Sequence, residues 1–462
     1  MRAPRIRRAL NPAVAGAPRL HLRLDARTGQ FLRPMRITEM HLTPIALGDP
    51  PLLNAAGLHA PYCLRTVIEL VADNGLRGLA EVPGSAATNA KLAAAREVAI
   101  GRDPLNWHAL RGALRAHFGT EASASRGDKP WDQRSLVQVE SAFDVACLDL
   151  AGRAYDLPVA TLLGGIVRER VPYSAYLFYK YEGAGGELGF GTDPRATGWA
   201  AARQAAALEP AGVVAQAQAM VKEFGFESIK LKGGVFEPAQ EVAAIKALRE
   251  AFGPGVPLRL DPNALWTVET SIEWGRKLEG VLEYLEDPAR TQAGMAAVRQ
   301  AVKLPLATNM CTTSFDDLPG SARHGSEDII LTDHHYWGGL RASMELAAHC
   351  RVFGRGVSMH SNNHAGISLA AMTHLGAAMP NLSYALDTHY PWQSEEIVVG
   401  GRMKIEGGCV TLPKGPGLGV ELDRAALARA HQAFLRCGLT ERNDEPEMQK
   451  KVPGWKFQAT RW

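Results

Sequence analysis

The chain lacks any apolar run approaching the roughly 18 uninterrupted residues of a membrane span, so no transmembrane helix is expected. Cysteine is scarce. The six present (Cys63, Cys147, Cys311, Cys350, Cys409, Cys437) lie far apart and form no CxxC pair. That excludes zinc-site spacing and a disulfide framework, and points to a reducing cytoplasm. An excess of one charge is also missing: 51 Lys and Arg stand against 48 Asp and Glu, for a net charge of +3. A nucleic-acid binder would concentrate its basic residues in a stripe. With 46% hydrophobic and 21% charged residues, the composition is not that of a disordered chain. What remains is a soluble globular protein of 462 residues, long enough for two or three domains. Its expected partner is a small-molecule substrate, with no nucleic acid and no membrane, and a homo-oligomer is the expected assembly.

The first 30 residues lack serine and hold Arg2, Arg5, Arg7, Arg8, Arg19, Arg23 and Arg27 against Asp25 alone. No apolar core follows the arginines, so a secretory signal is not expected, and the missing serine argues against a transit peptide. Residues 1–34 read as a basic, disordered extension, or as a start placed too early.

From Met35 to Asp73 the alternation is that of strands, with a turn at Asn74-Gly75 and a returning GLAEV, an antiparallel meander. Helical periods follow over Ala86 to Gly101, Asn106 to Phe118 and Leu136 to Leu150. In the last of these, Asp144 and Asp149 read as a solvated helix face. This first α+β region carries no catalytic cluster of its own. VPYSAYLFYKY at 171–181 opens a second region, and GAGGELGFG follows at 183–191. The glycines do not fit a dinucleotide fingerprint, because the sixth-position glycine is absent and no helix follows directly; a loop at a barrel mouth fits better.

Ser228 to Lys232 alternates as a strand, which places Lys230 and Lys232 on one face. On a solvated face they would be ordinary surface charges. In an enclosed site each ammonium would disfavour the other's charge and one could act as a base. Five further short apolar runs each end on a polar residue: PLRLD at Asp261, VLEYLE at Glu286, PLATN at Asn309, IILTD at Asp333 and GVSMH at His360. From Lys232 onward these are spaced by 29, 25, 23, 24 and 27 residues. A strand–helix unit of a (β/α) barrel takes about 30 residues, with its chemistry at the strand ends. The expected division is a basic extension at 1–34, an α+β cap at 35–168, a barrel at 169–394 and a C-terminal segment at 395–462 that returns to complete the cap.

Asp261, Glu286 and Asn309 are hard oxygen donors on successive strand ends and suit Mg²⁺. Asp333 and His360 end neighbouring strands as a carboxylate–imidazole dyad, in which the carboxylate fixes the tautomer and raises the imidazole pKa. Lys232 and His360 would flank the metal as two proton-transfer groups. A carbon acid next to a carboxylate is too weak to ionise unaided, so the metal would stabilise the enediolate. His334 and His335, adjacent on a strand, would face opposite sides, leaving at least one in the packing; His364 is a further candidate for touching substrate.

Taken together, Lys230-x-Lys232, Asp261, Glu286, Asn309, Asp333 and His360 resemble the catalytic set of the enolase superfamily, which the handling of Lys or His bases with Mg²⁺ typifies. LLNAAGLHAPY at 52–62, FESIKLKGGV, LDPNALW at 260–266, LATNMCTT, HSNNH at 360–364, LDTHYPWQ at 386–393, PGLGVELD at 416–423 and the tail through VPGWKF are similar to the glucarate dehydratase family. The resemblance runs from about residue 35 to the end. It implies an α/β fold, a modified TIM (β/α)7β barrel with an α+β capping domain built from the N-terminal region and C-terminal segment. The implied activity is Mg²⁺-dependent dehydration of D-glucarate, and of its epimer L-idarate, to 5-dehydro-4-deoxy-D-glucarate.

By the same resemblance, Lys232 takes the α-proton of one epimer and His360 that of the other. His360, held by Asp333, also protonates the departing β-hydroxyl, and Lys230 contacts the metal-bound carboxylate and depresses the Lys232 pKa. Asn54, His59, Tyr176, Phe178, Asn263, Asn362, His389 and Arg442 are the implied substrate contacts. The chain departs from the family in reading DPNALW rather than near DPNGAW, and TDHHYW rather than near ADPHFW, so His334 stands where proline is expected. A family threonine contact falls at Ser135 or Leu136. Two rival readings are a dehydratase or epimerase for another aldarate, and a non-catalytic paralogue retained as a partner subunit.

Overall fold

The computed structural model describes residues 23–24, 31–32, 35–119 and 134–462. The basic extension expected over residues 1–34 lies outside the described residues, apart from an antiparallel pairing of Arg23–Leu24 with Phe31–Leu32.

Alternation in the first region builds the meander: Ile37–Gly48 pairs antiparallel with Tyr62–Ala72, which pairs with Arg77–Pro83. The hairpin turns at Gly75, whose φ of +80° suits a residue without a Cβ, while Asn74 accepts from the Leu76 N–H (3.1 Å). Helices Ala86–Ala99, Trp107–Phe118 and Ser135–Tyr155 follow. Ser85 caps the first by accepting from the Thr88 N–H.

Eight parallel strands make the barrel. They are Arg170–Phe178, Ile229–Lys232, Leu258–Asp261, Tyr284–Glu286, Leu306–Thr308, Ile329–Thr332, Gly356–Met359 and Leu386–Thr388. The eighth pairs with the first, and the ladder then runs in sequence order to the seventh. Between seventh and eighth the closure is irregular, made by Ser383 N–H to the Val357 carbonyl (3.0 Å) and Ser358 Oγ to the Ala385 carbonyl (3.0 Å). Covered on both faces, these strands are buried along nearly their whole length.

Seven crossover helices join the strands: Pro210–Phe224, Pro238–Phe252, Val268–Leu278, Gln292–Ala301, Leu318–His324, Leu340–Val352 and Gly366–Ala378. Proline in the first turn and a left-handed glycine (Gly225) after the last bound the first of them. No α-helix lies between Thr388 and Arg424, which makes this a modified (β/α)7β barrel. Instead the chain pairs Cys409–Thr411 antiparallel with the start of the first barrel strand. It then climbs to the cap, where helix Arg424–Cys437 docks on Ile37–Gly48. His431 Nδ1 donates to the Pro44 carbonyl (2.7 Å), and Arg424 grips both Glu69 oxygens (2.5 and 2.6 Å). Both chain ends thus contribute to the layer over the barrel. Among the described residues no helix is long and apolar enough to cross a membrane.

Asp144 and Asp149 correct the sequence reading: both are fully buried rather than solvated. Helix Ser135–Tyr155 is covered by the cap sheet on one side and by barrel segments on the other, so its polar positions become internal clamps. Asp144 accepts from the Leu340 and Arg341 N–H groups (2.6 and 3.1 Å) and pairs with Arg341 Nη1 (2.6 Å). Asp149 accepts from the Leu79 and Leu418 N–H groups (2.8 and 2.7 Å) and from Arg153 Nε (3.1 Å). Burial pushes the Asp149 pKa up to about 6 in spite of these partners. GAGGELGFG forms a loop with a single 3-10 turn at Gly186–Leu188. Gly185 (φ +78°) is required there, since a Cβ would lie 2.0 Å from the Asp49 carbonyl oxygen.

Candidate active site

Strand ends deliver the polar groups to the face of the barrel beneath the cap. Lys230 and Lys232 both point inward, so of the two sequence alternatives the enclosed site is the one formed. Lys232 Nζ donates to Asp261 Oδ2 and Asn263 Oδ1, each at 2.6 Å. Lys230 Nζ donates to Asp387 Oδ2 (2.6 Å) and lies 2.5 Å from Glu286 Oε2 and 3.8 Å from Asp261 Oδ2. Burial opposes the Lys230 charge, but Asp387 and then Glu286 outweigh it and hold its pKa well above the ordinary value. Asp261 is likewise held below the usual carboxylate range: its burial is overcome by Lys232 and then Lys230.

On the sixth and seventh strands, His360 Nδ1 sits 3.0 Å from Asp333 Oδ2, and Asn362 Nδ2 donates to the same oxygen (3.1 Å). Asp333 Oδ1 takes the His335 N–H (2.9 Å) and faces His335 Nδ1 (3.0 Å). These contacts keep Asp333 ionised, well below its usual range despite burial. Burial is the largest effect on the His360 pKa and lowers it overall, with Lys230 and Lys232 adding to the fall; Asp333 raises it, as expected of the dyad, but does not offset them. His360 is therefore set toward the neutral imidazole. The histidine expectation is corrected as well. His334 and His335 lie not on a strand but on a short helical turn, His334–Trp337, capped by Asp333, which sets their rings side by side with centroids 3.8 Å apart. Neither ring, nor that of His364, lines the cavity. Burial lowers the His364 pKa to about 3 and keeps it neutral in the wall.

The cavity above these groups has a volume of about 50 Å³. Its lining holds Asn54, His59, Tyr176, Phe178, Lys232, Asn263, Asn309, His360, Asn362, His389 and Arg442. Lys230, Asp261, Glu286 and Asp333, the other four residues singled out from sequence, do not line it and contact members of that lining or one another. Ser135 instead lines an adjoining cavity that shares His59, Tyr336, Asn362 and Arg442.

Sequence reasoning missed Asp387, Tyr336 and Ser361 at this site, and the two cap aspartates that organise it. Asp49 Oδ2 holds His59 Nδ1 (2.8 Å), while Asp444 Oδ2 accepts from Asn54 Nδ2 (2.8 Å) and Arg442 Nη2 (2.6 Å). Arg442 Nη2 in turn lies 3.0 Å from His59 Nε2. Asp387 was findable, as an aspartate inside the apolar run at 385–388; it sits mid-strand, where a rule about strand ends does not look. Asp49 and Asp444 carried no local signal.

Asp261, Glu286 and Asn309 occupy the ends of the third, fourth and fifth strands, and Asn309 Nδ2 donates to Glu286 Oε1 (2.6 Å). Glu286 Oε2 is buried, with Lys230 Nζ 2.5 Å away. The Glu286 pKa is pushed well up, first by burial and then by Asp261 beside it. Two buried carboxylates and an amide of this kind fit a hard divalent cation, which would favour both charged forms.

Comparison with known proteins places this geometry. A family profile described as Enolase C-terminal domain-like matches residues 212–426. A Streptomyces coelicolor protein named as a probable glucarate dehydratase is 47% identical over 440 residues, covering 92% of this chain and 98% of its own. Among solved structures, a Mycobacterium smegmatis enolase complexed with formate and acetate is 48% identical with a TM-score of 0.86, covering 93% of this chain and 99% of its own. One from Pseudomonas fluorescens, with bound magnesium, potassium and tartrate, is 45% identical with a TM-score of 0.85, covering 93% and 100%.

Proposed function

The chain belongs to the glucarate dehydratase family of the enolase superfamily, a hydro-lyase family, and on the geometry above we propose that it dehydrates D-glucarate and L-idarate to 5-dehydro-4-deoxy-D-glucarate. One observation carries the reading: Lys232 and His360, from the second and seventh of eight strands, enter a single cavity beside three hard oxygen donors. Asp261, Glu286 and Asn309 would hold Mg²⁺, which when bound supplies the positive charge that makes a proton next to a carboxylate acidic enough to remove.

The residues divide the remaining work. Lys232 removes the α-proton of one epimer and His360 that of the other, because the two groups approach from different walls of the cavity. Asp333 holds His360 Nδ1, so Nε2 is the nitrogen that exchanges protons with substrate. Burial keeps the imidazole neutral and ready to accept a proton. Once protonated, His360 gives its proton to the β-hydroxyl as the C–O bond breaks, and water leaves. Lys230, beneath the cavity lining, is a fixed positive charge beside Glu286 and Asp261. Asn263 and Asn362 orient the hydroxyls, while Asn54, His59, Tyr176, Phe178, His389 and Arg442 surround the rest of the diacid.

The test is proton NMR of the protein with D-glucarate in D₂O, with and without Mg²⁺. Loss of glucarate signals with growth of a keto-deoxy acid, abolished by chelation, is the expected result. Two bases in one cavity also permit epimerisation. Exchange or epimerisation without elimination would replace the dehydratase reading, and α-exchange with a different diacid alone would replace the substrate.

A further inference from the structure

Lys230 and Lys232 share one strand face and both point inward, yet among the described residues only Lys232 of the two lines the cavity. Two residues of strand rise, about 6.6 Å, set Lys230 one layer deeper than Lys232. The eighth strand fixes it there. Asp387, itself 1% exposed, accepts from Lys230 Nζ at 2.6 Å, and the ammonium rests over the Tyr176 ring, 4.7 Å from its centroid.

Behind Asp387 stands Arg259, also 1% exposed, with Nη1 3.6 Å from Asp387 Oδ1. Arg259 is fixed in its own right. Its Nε donates to Glu283 Oε2 (2.7 Å), its Nη1 to the Ala385 carbonyl (2.8 Å), and its guanidinium lies over Tyr284, 4.8 Å from the ring centroid. Lys230, Asp387, Arg259 and Glu283 thus alternate in sign from the floor of the site toward the opposite mouth of the barrel, where Arg259 and Glu283 line a second cavity. In a buried file of this kind each charge is held by its neighbours, since losing one partner leaves an uncompensated ion.

We infer that Asp387, backed by Arg259, is a positioning residue that holds the Lys230 ammonium on the floor of the barrel and so leaves Lys232 as the lysine that reaches the reacting carbon. The inference rests on the role given to Lys232 above. Without Asp387 the Lys230 ammonium keeps Glu286, 2.5 Å away, and is free to shift toward Asp261, 3.8 Å away, disturbing the hydrogen bonds that aim Lys232. Neither Asp387 nor Arg259 lines the cavity, so both act through Lys230 rather than on substrate.

Two measurements test it. In the first, Asp387→Asn, Arg259→Met and Arg259→Lys are compared with the wild type in Mg²⁺-saturated turnover of D-glucarate, with circular dichroism to confirm folding. Supporting groups of this type are typically worth about 10–100-fold, and Asp387→Asn and Arg259→Met should lower kcat by that order with KM unchanged. Arg259→Lys, which keeps the charge, should recover most of the loss. Wild-type kcat in Asp387→Asn, a loss carried entirely in KM, or Arg259→Lys falling as far as Arg259→Met would overturn the inference.

The second measurement needs no substrate: reductive ¹³C-methylation mapped by mass spectrometry. Lys230 should stay unlabelled in the wild type and become labelled in folded Asp387→Asn. Labelling of Lys230 in the wild type, or none in either protein, would count against the inference. A wild type that ignores D-glucarate refutes the proposed function instead, and the labelling still decides this point.

Discussion

Replacing His360 with asparagine should separate the two epimers. Asparagine keeps a group able to reach Asp333, which lies 3.0 Å from His360 Nδ1, but it cannot take or give a proton. General acid–base catalysis is worth about 10²–10⁴-fold per role, or roughly 3–5 kcal/mol of barrier. For the epimer deprotonated by Lys232, His360 first takes a proton from solvent and then serves only as the acid that protonates the leaving hydroxyl, so elimination should slow by that one factor. Exchange of the α-proton with D₂O should continue, because Lys232 and its partners Asp261 and Asn263 are untouched. For the other epimer His360 serves twice, as base and then as acid, and both exchange and elimination should vanish. Lys232→Ala should invert the exchange pattern. The assay is proton NMR of D-glucarate and L-idarate incubated separately in D₂O with Mg²⁺. Equal losses for the two epimers, or exchange and elimination surviving in His360→Asn for the epimer that His360 serves twice, would refute the assignment of the two walls.

Three further outcomes are expected. Chelation should abolish both exchange and elimination, and added Mg²⁺ should raise Tm, by an amount equivalent to about 2.7 kcal/mol at a hundredfold excess over Kd; Glu286→Gln should remove that rise, and a Tm indifferent to Mg²⁺ would refute the metal site. Glu241 is buried, its Oε1 accepts from the Val235 and Phe236 N–H groups (2.8 and 3.1 Å), and burial pushes its pKa up to about 7. Folding thus favours its protonated form, a contribution present below the unfolded carboxyl value and lost as pH rises through about 7. Glu241→Gln, which keeps the accepting oxygen, should therefore stabilise the protein by about 1–3 kcal/mol above pH 8 and by little near pH 4.5, read by denaturant melts across pH; a difference independent of pH would sink the argument. Asp144→Ala removes the partner of two backbone N–H groups and of Arg341, and should cost about 3–5 kcal/mol in the same melts.

What could be read in the sequence is what repeats along it. Short apolar runs ending on Lys232, Asp261, Glu286, Asn309, Asp333 and His360 disclose a barrel, since a strand's side chains alternate by geometry alone and the helix that returns the chain takes a near-constant length. The inward pointing of both lysines follows from that period once the strand is known to be internal. The group at the end of each strand follows too, because the strands are parallel and in register. The motif strings then tie the cap residues to the same site, through resemblance rather than through any pattern of their own.

Tertiary structure decided everything that depends on which distant segments meet. Asp144 and Asp149 look solvated in a helical period and are buried, because the opposite side of that helix meets Leu340, Arg341 and Leu418, hundreds of residues away. Asp333 caps a helical turn, so the paired histidines stack together in the wall instead of facing apart. The sign of the His360 shift turns on burial against one carboxylate, a balance that no spacing records. Asp387 becomes the partner of Lys230 only when the ring of strands brings the eighth beside the first. Period and spacing are local and survive in a linear string; burial and charge pairing are properties of packed neighbours, and they exist only once the chain has closed on itself.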